Sequence, residues 1–204
     1  MVDNYSINVF YNCPFDDEYQ PTFEAVLFTI YRCGFTLRCA KEFNDTGKIR
    51  IDNIVKLIGE SKYGIHDLCR VELDKTSKLP RFNMPLELGI FIGAIKFGWK
   101  TTHGQKEYLI LDSENFRFKS FISDIGGQDI KSYSSIDTVI RRIRDWLSNK
   151  TTNIIPSAKF INNEYFKFLA DLPELCENNR WDRKELTHDE LVALTVSWIE
   201  LNRN

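Results

Sequence analysis

Alternating strand-like and helix-like segments predict an α/β fold, in which a five-stranded parallel sheet is covered by helices on both faces. Short β-branched and aromatic runs alternate with segments whose apolar residues recur at helical spacing. The connections between successive strands are long enough to hold a helix, as parallel strands require. Of the 204 residues, 43% are hydrophobic, which is sufficient for a proper core.

The first two strands and their helices are predicted between residues 7 and 58. The run Ile7–Tyr11 is rich in β-branched and aromatic residues and indicates strand one. A helix follows, because Pro21 is tolerated in a first turn and an apolar stripe then continues until Gly34. The run Phe35–Ala40 predicts strand two. The stripe of the second helix consists of Ile51, Ile54, Val55 and Ile58.

The same alternation continues to residue 147. The run Tyr63–Leu68 predicts strand three, and the third helix is expected from about Met84 to Phe97. The run Tyr108–Leu111 predicts strand four, and a short helix is expected around Phe116–Ile125. A fifth strand is predicted over Asp129–Tyr133. The apolar stripe of the helix after it consists of Ile136, Val139, Ile140, Ile143 and Leu147.

The pattern changes after this last helix. A polar linker over 148–153 is followed by segments that predict helix only, including a capping box at Thr187–Glu190. We therefore predict an α/β domain over residues 1–150 and a C-terminal helical extension over residues 151–204.

The charge balance and the composition of the chain limit the classes of partner that it is expected to bind. There are 27 Lys and Arg residues against 29 Asp and Glu residues, a balance that predicts no nucleic-acid partner. No apolar run approaches the roughly 20 residues that span a bilayer, and the first residues lack a secretory signal, so a cytoplasmic protein without membrane contact is expected. Five cysteines and three histidines lack metal-ligand spacing, so buried free thiols and no metal are expected.

Glu87 is the candidate catalytic residue. Open parallel sheets bind ligands at the carboxyl ends of their strands, and the helix after strand three begins at that edge. Glu87 lies near the start of this helix, which is apolar on both of its stripes, so its carboxylate faces desolvation or opens into a cleft. A structural alternative is that Met84 is the N-cap and Glu87, at N3, caps backbone amides.

The segment Asn83–Gly89, which reads N-M-P-L-E-L-G and is followed by Gly93-Ala94 and Phe97-Gly98, supports the catalytic alternative. It resembles the N-x-x-x-E-L-G…G segment of the group that joins TIR-like domains with nucleoside 2-deoxyribosyltransferase-like domains. The resemblance covers about residues 7–146. It implies a flavodoxin-like sheet and a glutamate, here Glu87, that acts on a ribosyl–base bond.

The resemblance implies a TIR-like enzyme that cleaves the nicotinamide–ribose bond of NAD, giving ADP-ribose or a cyclic signalling nucleotide, and that serves in bacterial anti-phage defence. NAD would be the substrate and no cofactor would be required. A nucleoside or nucleotide N-glycosidase, or a deoxyribosyltransferase, is an alternative. A non-catalytic TIR-like module is another, with self-association or a defence partner protein, using the loop Asn44–Lys48 and its helices.

Further site residues are expected at the same edge of the sheet, each with a structural alternative. Aromatic side chains could carry the nicotinamide or adenine ring, although core packing is their alternative; these are Phe10, Tyr11 and Phe15. Asn12 and Asn83 could bond the ribose or the carboxamide, or else form turns and caps.

Asp67 could hold a ribose hydroxyl, or else lie buried in a network of loops. Arg81, with Arg38 and Arg70, could pair with the pyrophosphate, or else form ion pairs at the surface. His66, the one histidine near this edge, is expected to be structural rather than a general base.

Overall fold

The computed structural model describes residues 4–43, 49–70, 82–98, 100–115, 117, 121–125 and 127–203. Five strands lie in these residues: β1 (Asn8–Asn12), β2 (Thr36–Arg38), β3 (Tyr63–Asp67), β4 (Glu107–Asp112) and β5 (Lys131–Ser132). Six α-helices accompany them: α1 (Gln20–Arg32), α2 (Arg50–Gly59), α3 (Asn83–Phe97), α4 (Ile136–Ser148), α5 (Ala158–Asn179) and α6 (His188–Leu201).

The five strands form one sheet in the order β2-β1-β3-β4-β5, and every neighbouring pair is parallel. This is the flavodoxin-like order, so the predicted fold class is confirmed. The chain moves outward on one side of β1 to β2 and then crosses to β3 on the other side. The order of the strands therefore reverses between β1 and β3, which is where folds of this class bind ligands.

The chain divides into two compact units. The first consists of residues 1–20 and 36–134 and contains the sheet with α2 and α3; the second consists of residues 21–35 and 135–204 and contains the other helices. The domain boundary near residue 150 stays a prediction.

Helices α2 and α3 bury apolar residues against the sheet within the first unit. One cluster joins Phe10 of β1 to Ile54, Leu57 and Ile58 of α2 and to Phe91 of α3. Gly64 in β3 permits this packing, because a Cβ atom there would lie 2.8 Å from Cε2 of Phe91. A second cluster consists of Leu68, Met84, Leu88, Ile110 and Ile125.

Two ion pairs and an aromatic cluster stabilise the second unit. The Nε of Arg32 lies 2.7 Å from a carboxylate oxygen of Glu164, and Nη2 of Arg183 lies 2.7 Å from one of Glu24. The ring of Phe28 packs against the rings of Tyr165, Phe168 and Trp198. The predicted capping box at the start of α6 is confirmed, with Thr187 and Glu190 capping each other's backbone.

Several element boundaries differ from the sequence-based expectation; strand β2, for example, has three residues rather than the six predicted. Strand β5 has two residues rather than five, because only Lys131 and Ser132 pair with β4 at the edge of the sheet. The segment 116–125 contains a 3-10 turn at Ser123–Ile125, and residues 116 and 118–120 lie outside the described residues. Helix α3 has Phe82 as its N-cap, two residues before the predicted cap.

Candidate functional site

The carboxyl ends of the central strands bring buried polar side chains to one edge of the sheet. Asn12 ends β1 and pairs with His66 of β3, while Asp67 ends β3 and pairs with Leu111 of β4. Asp112, the last residue of β4, is fully buried beside Arg117, whose Nη2 donates to its Oδ1 at 2.5 Å. These residues lie around the point where the order of the strands reverses.

Glu87 lies in the second turn of α3 and does not cap the helix. With Phe82 at the N-cap, Glu87 is the fifth helical residue. Side chains that cap backbone amides belong to the first turn, and Glu87 has passed it. The capping interpretation of Glu87 is therefore wrong, because the helix begins two residues earlier than Pro85 suggested.

The carboxylate of Glu87 is buried and poorly solvated. Only 8% of the residue is exposed, and none of the described residues donates a hydrogen bond to it or lies in an ion pair with it. Burial raises the pKa of Glu87 to about 7, and the positive charge of Arg50 opposes this shift without reversing it. A carboxyl group with this pKa exists in both protonation states near neutral pH, as an acid–base or cation-stabilising group needs.

Asp67 is the centre of a buried hydrogen-bond network. The hydroxyls of Tyr19 and Tyr133 donate to Oδ2 of Asp67 at 2.5 and 2.7 Å, and the backbone N–H of Cys69 donates to Oδ1 at 3.0 Å. Tyr19 also shares a hydrogen bond with the hydroxyl of Tyr11. Both carboxylate oxygens already accept hydrogen bonds from the protein. This agrees with the alternative that Asp67 lies buried in a network of loops. A ligand role for Asp67 stays a prediction.

The network keeps its tyrosines protonated. Burial raises the pKa of Tyr19 and Tyr133 well above the ordinary value, and the negative charge of Asp67 raises it further. Because the hydroxyls stay protonated, they remain donors to the carboxylate at any physiological pH. The network therefore joins the segments that follow β1, β3 and β5 through two tyrosine hydroxyls and one backbone N–H.

His66 and Asn12 form a second buried pair. The Nδ2 of Asn12 lies 3.1 Å from Nδ1 of His66 and 2.8 Å from the carbonyl oxygen of Met84 in the first turn of α3. Burial lowers the pKa of His66 to about 3, so the imidazole is neutral. The structural interpretation of His66 agrees with this environment.

The three aromatic candidates differ in how much surface they offer a ligand. Phe10 and Tyr11 are fully buried, and the ring of Phe10 stacks on Phe91 with centroids 6.5 Å apart. Core packing, their structural alternative, therefore describes both residues. Phe15 is only half-buried, and Nζ of Lys41 lies 5.3 Å from its ring centroid. Of the three, Phe15 is the residue with exposed ring surface that a ligand ring could contact.

The structure gives less support to the ligand contacts predicted for the three arginines and for Asn83. Arg38 pairs with Glu42 and Glu60, and Arg70 pairs with Asp16 and Glu18, which is the surface ion-pair alternative. Arg81 lies outside the described residues. Asn83 is the exposed first residue of α3, so its amide is accessible from solvent.

Sequence reasoning missed Tyr19, Tyr133 and Arg117. Tyr19 precedes α1 and Tyr133 follows β5, so neither shows a periodic signal that would place it beside Asp67. A tyrosine or arginine next to a strand end is a weak indication, because its partner is remote in the chain. Only the contact with a buried carboxylate gives these residues a role.

The cysteines lie where the sequence predicted. All five are buried with free thiols, and burial raises the pKa of each one. The thiol form is therefore favoured over the thiolate near neutral pH. Within the described ranges, no group of three or more His, Cys, Asp or Glu side chains is arranged to hold a metal ion.

In the same ranges, no helix has the length and apolarity needed to cross a bilayer. Comparisons of the chain with family models, with curated proteins and with solved structures find no match.

Proposed function

We propose that this chain cleaves the N-glycosidic bond of NAD, and that Glu87 is the carboxylate beside the reacting sugar carbon. The observation that carries the proposal is the buried Glu87 carboxylate, whose pKa is raised to about 7. It lies in the second turn of the helix that follows β3 in a sheet of flavodoxin-like order. The resemblance of segment 83–89 to TIR-like domains suggests the same bond.

Apart from the Glu87 carboxylate, the reaction requires few groups from the protein. The bond between C1′ of the ribose and the nicotinamide nitrogen breaks, and its electron pair neutralises the pyridinium ring. The sugar becomes an oxocarbenium-like cation, which an ionised Glu87 stabilises. Water then adds to C1′ and loses a proton, so NAD and water give nicotinamide, ADP-ribose and a proton. Intramolecular attack in place of water would give a cyclic product.

Nicotinamide release from NAD by the purified chain is the direct test. We expect release to increase about tenfold per pH unit up to roughly pH 7 and then to level off, because Glu87 must be ionised. Chromatography of nicotinamide over a pH series measures this. A panel of nucleosides and nucleoside monophosphates, assayed in parallel, separates NAD cleavage from base exchange. Product from the panel but not from NAD, in an active preparation, would contradict the proposal.

An exposed apolar face of α3 favours a second candidate function, assembly with another copy of the chain. Phe82, Leu86 and Phe97 are 65, 55 and 92% exposed and share one side of the helix with Gly89 and Gly93. The exposed Lys96 borders this stripe next to Phe97, so a two-fold contact through the stripe would keep the two Lys96 side chains at its rim. Large exposed apolar patches mark interaction sites in many proteins.

At about 200 Å² per large side chain, the exposed fractions of Phe82, Leu86 and Phe97 and of Ile51 and Val55 of α2 amount to roughly 600 Å² of apolar surface. A standard interface buries about 800 Å² per partner, so this face would supply most of a dimer contact.

The substitution Leu86→Glu is expected to weaken such a dimer at least tenfold, because it buries an unpaired charge. Sedimentation or light scattering over a concentration series measures the dissociation constant. Ile154→Glu is the matched control, since Ile154 is fully exposed in the second unit and outside the stripe. A chain that stays monomeric at all concentrations, or an unchanged dimer in Leu86→Glu, would reject this candidate.

A further inference from the structure

The orientation of the Asn12 side-chain amide is determined by its neighbours. The atom 2.8 Å from the carbonyl oxygen of Met84 must be a donor, because a carbonyl oxygen only accepts hydrogen bonds. The amide NH₂ group therefore points toward Met84, and the opposite orientation would bring two oxygens together. This assignment follows from the chemistry of the partner, since the nitrogen and oxygen of an amide look alike in shape.

His66 takes the second amide hydrogen. Its Nδ1 lies 3.1 Å from Nδ2 of Asn12, and a pKa of about 3 keeps the imidazole neutral. A neutral imidazole that accepts at Nδ1 carries its proton on Nε2. That Nε2 atom is buried without a hydrogen-bond partner, and the ring meets Phe10, Phe91 and Tyr108 edge-on with centroids 5.9, 5.1 and 6.3 Å away. The ring therefore stays in place as an acceptor for Asn12.

Only the amide oxygen of Asn12 is left for a ligand. Both hydrogens are used inside the protein, while Oδ1 accepts no hydrogen bond from a described residue. Asn12 as a whole is 3% exposed, so only a small part of its surface reaches solvent. Met84, whose carbonyl oxygen accepts from the Asn12 amide, lies one turn before Glu87 on α3, so the amide group contacts the turn that precedes the candidate catalytic carboxylate.

We propose that Asn12 determines substrate specificity by presenting an acceptor, Oδ1, that selects a neutral donor group on the ligand. The inference rests on the proposed function, in which the leaving group is nicotinamide. A carboxamide offers an N–H to Oδ1, whereas a carboxylate in the same place offers only oxygens and a negative charge. A site built to bond a donor rejects the analogue that lacks it, because its own polar group is left unpaired. The ligand class is therefore the carboxamide form of the base.

Binding of nicotinamide and of nicotinate to the full chain tests this inference. We expect nicotinamide to bind at least tenfold more tightly, measured by calorimetry or by NMR titration. Asn12→Ala removes the acceptor and is expected to bring the two dissociation constants within about threefold. Asn163→Ala is the matched control, because Asn163 is an exposed amide on α5 in the second unit and is not one of the predicted site residues. The control variant should keep the full preference for nicotinamide over nicotinate.

An NMR measurement on unliganded protein checks the same arrangement without binding or activity. We expect His66 as the Nε2–H tautomer, with no titration between about pH 5 and 8. A titrating His66, equal binding of the two probes by the parent chain, or binding of neither would overturn the inference. If NAD is cleaved but the probes bind equally, this inference alone fails. If NAD is not cleaved while nicotinamide is preferred, the proposed function alone fails.

Discussion

Glu87→Gln is expected to increase the stability of the protein while removing its activity. At about pH 8 we expect the free energy of unfolding to rise by about 3 kcal/mol, because the raised pKa means that the folded state holds the Glu87 charge at a cost. Nicotinamide release should fall at least a hundredfold, since loss of a group that stabilises transition-state charge has effects of about that size. Opposite changes in stability and activity are typical of a residue retained for function.

The pH dependence of the stability effect has a definite sign. The pKa of Glu87 rises from the ordinary 4.5 in the unfolded chain to about 7 in the folded protein. Between these values the unfolded state binds fewer protons than the folded state, so this residue makes stability fall as pH rises. The cost is absent below about pH 4.5 and complete above about pH 7. Glutamine stays neutral, so the variant should gain nothing at about pH 4 and most at about pH 8.

Urea unfolding of both proteins at the two pH values measures this difference. Asp52→Asn serves as the control, because Asp52 is an exposed acid in the first turn of α2. It tests whether removing any negative charge has the same effect. A Glu87→Gln variant that is less stable at about pH 8, or one that cleaves NAD at the parent rate, would contradict the assignment of Glu87.

Asp67→Ala is expected to destabilise the protein by about 3 kcal/mol or more. The substitution removes the acceptor of the Tyr19 and Tyr133 hydroxyls and of the Cys69 N–H. Each buried donor left without a partner costs about 1–3 kcal/mol, and the alanine also leaves a gap. Because the three donors come from segments after β1, β3 and β5, the loss should extend over the whole carboxyl edge of the sheet.

Denaturant unfolding near neutral pH measures the loss, and two milder variants give its scale. Tyr133→Phe removes one donor and leaves Asp67 with its other partners, so about 1–2 kcal/mol is expected. Asp67→Asn keeps one acceptor oxygen and should fall between the other two. A loss below about 1 kcal/mol for Asp67→Ala would show that the network contributes little to stability.

Much of the fold was predictable because its signals are local. Strands β1 and β4 contain short apolar runs, and the helices of the α/β pattern show apolar stripes. The ends of a strand were harder to predict where they depend on its pairing with the neighbouring strand. Strand β5 is short because only Lys131 and Ser132 pair with β4, although β4 itself extends back to Glu107.

The candidate site was predictable in position but not in environment. Glu87 was identified from its place near the start of α3, yet its raised pKa depends on burial and on Arg50 of α2. Phe10 and Tyr11 showed the same aromatic character as Phe15, but the fold buries the first two completely. Asn12 was expected to bond the ribose or the carboxamide, or else to form a turn, and its contacts with Met84 and His66 use both hydrogens of its amide.

The sequence by itself determined the order of the elements, the parallel sheet and the edge at which polar residues collect, because these depend on periodicity and on residues near one another in the chain. The tertiary structure alone decided which polar groups are satisfied and which are not. Asp67 is paired by Tyr19 and Tyr133 across 48 and 66 residues, whereas Glu87 is buried without a hydrogen bond from any described residue. Partners and solvent exposure are properties of the packed chain, since residues remote in sequence supply both.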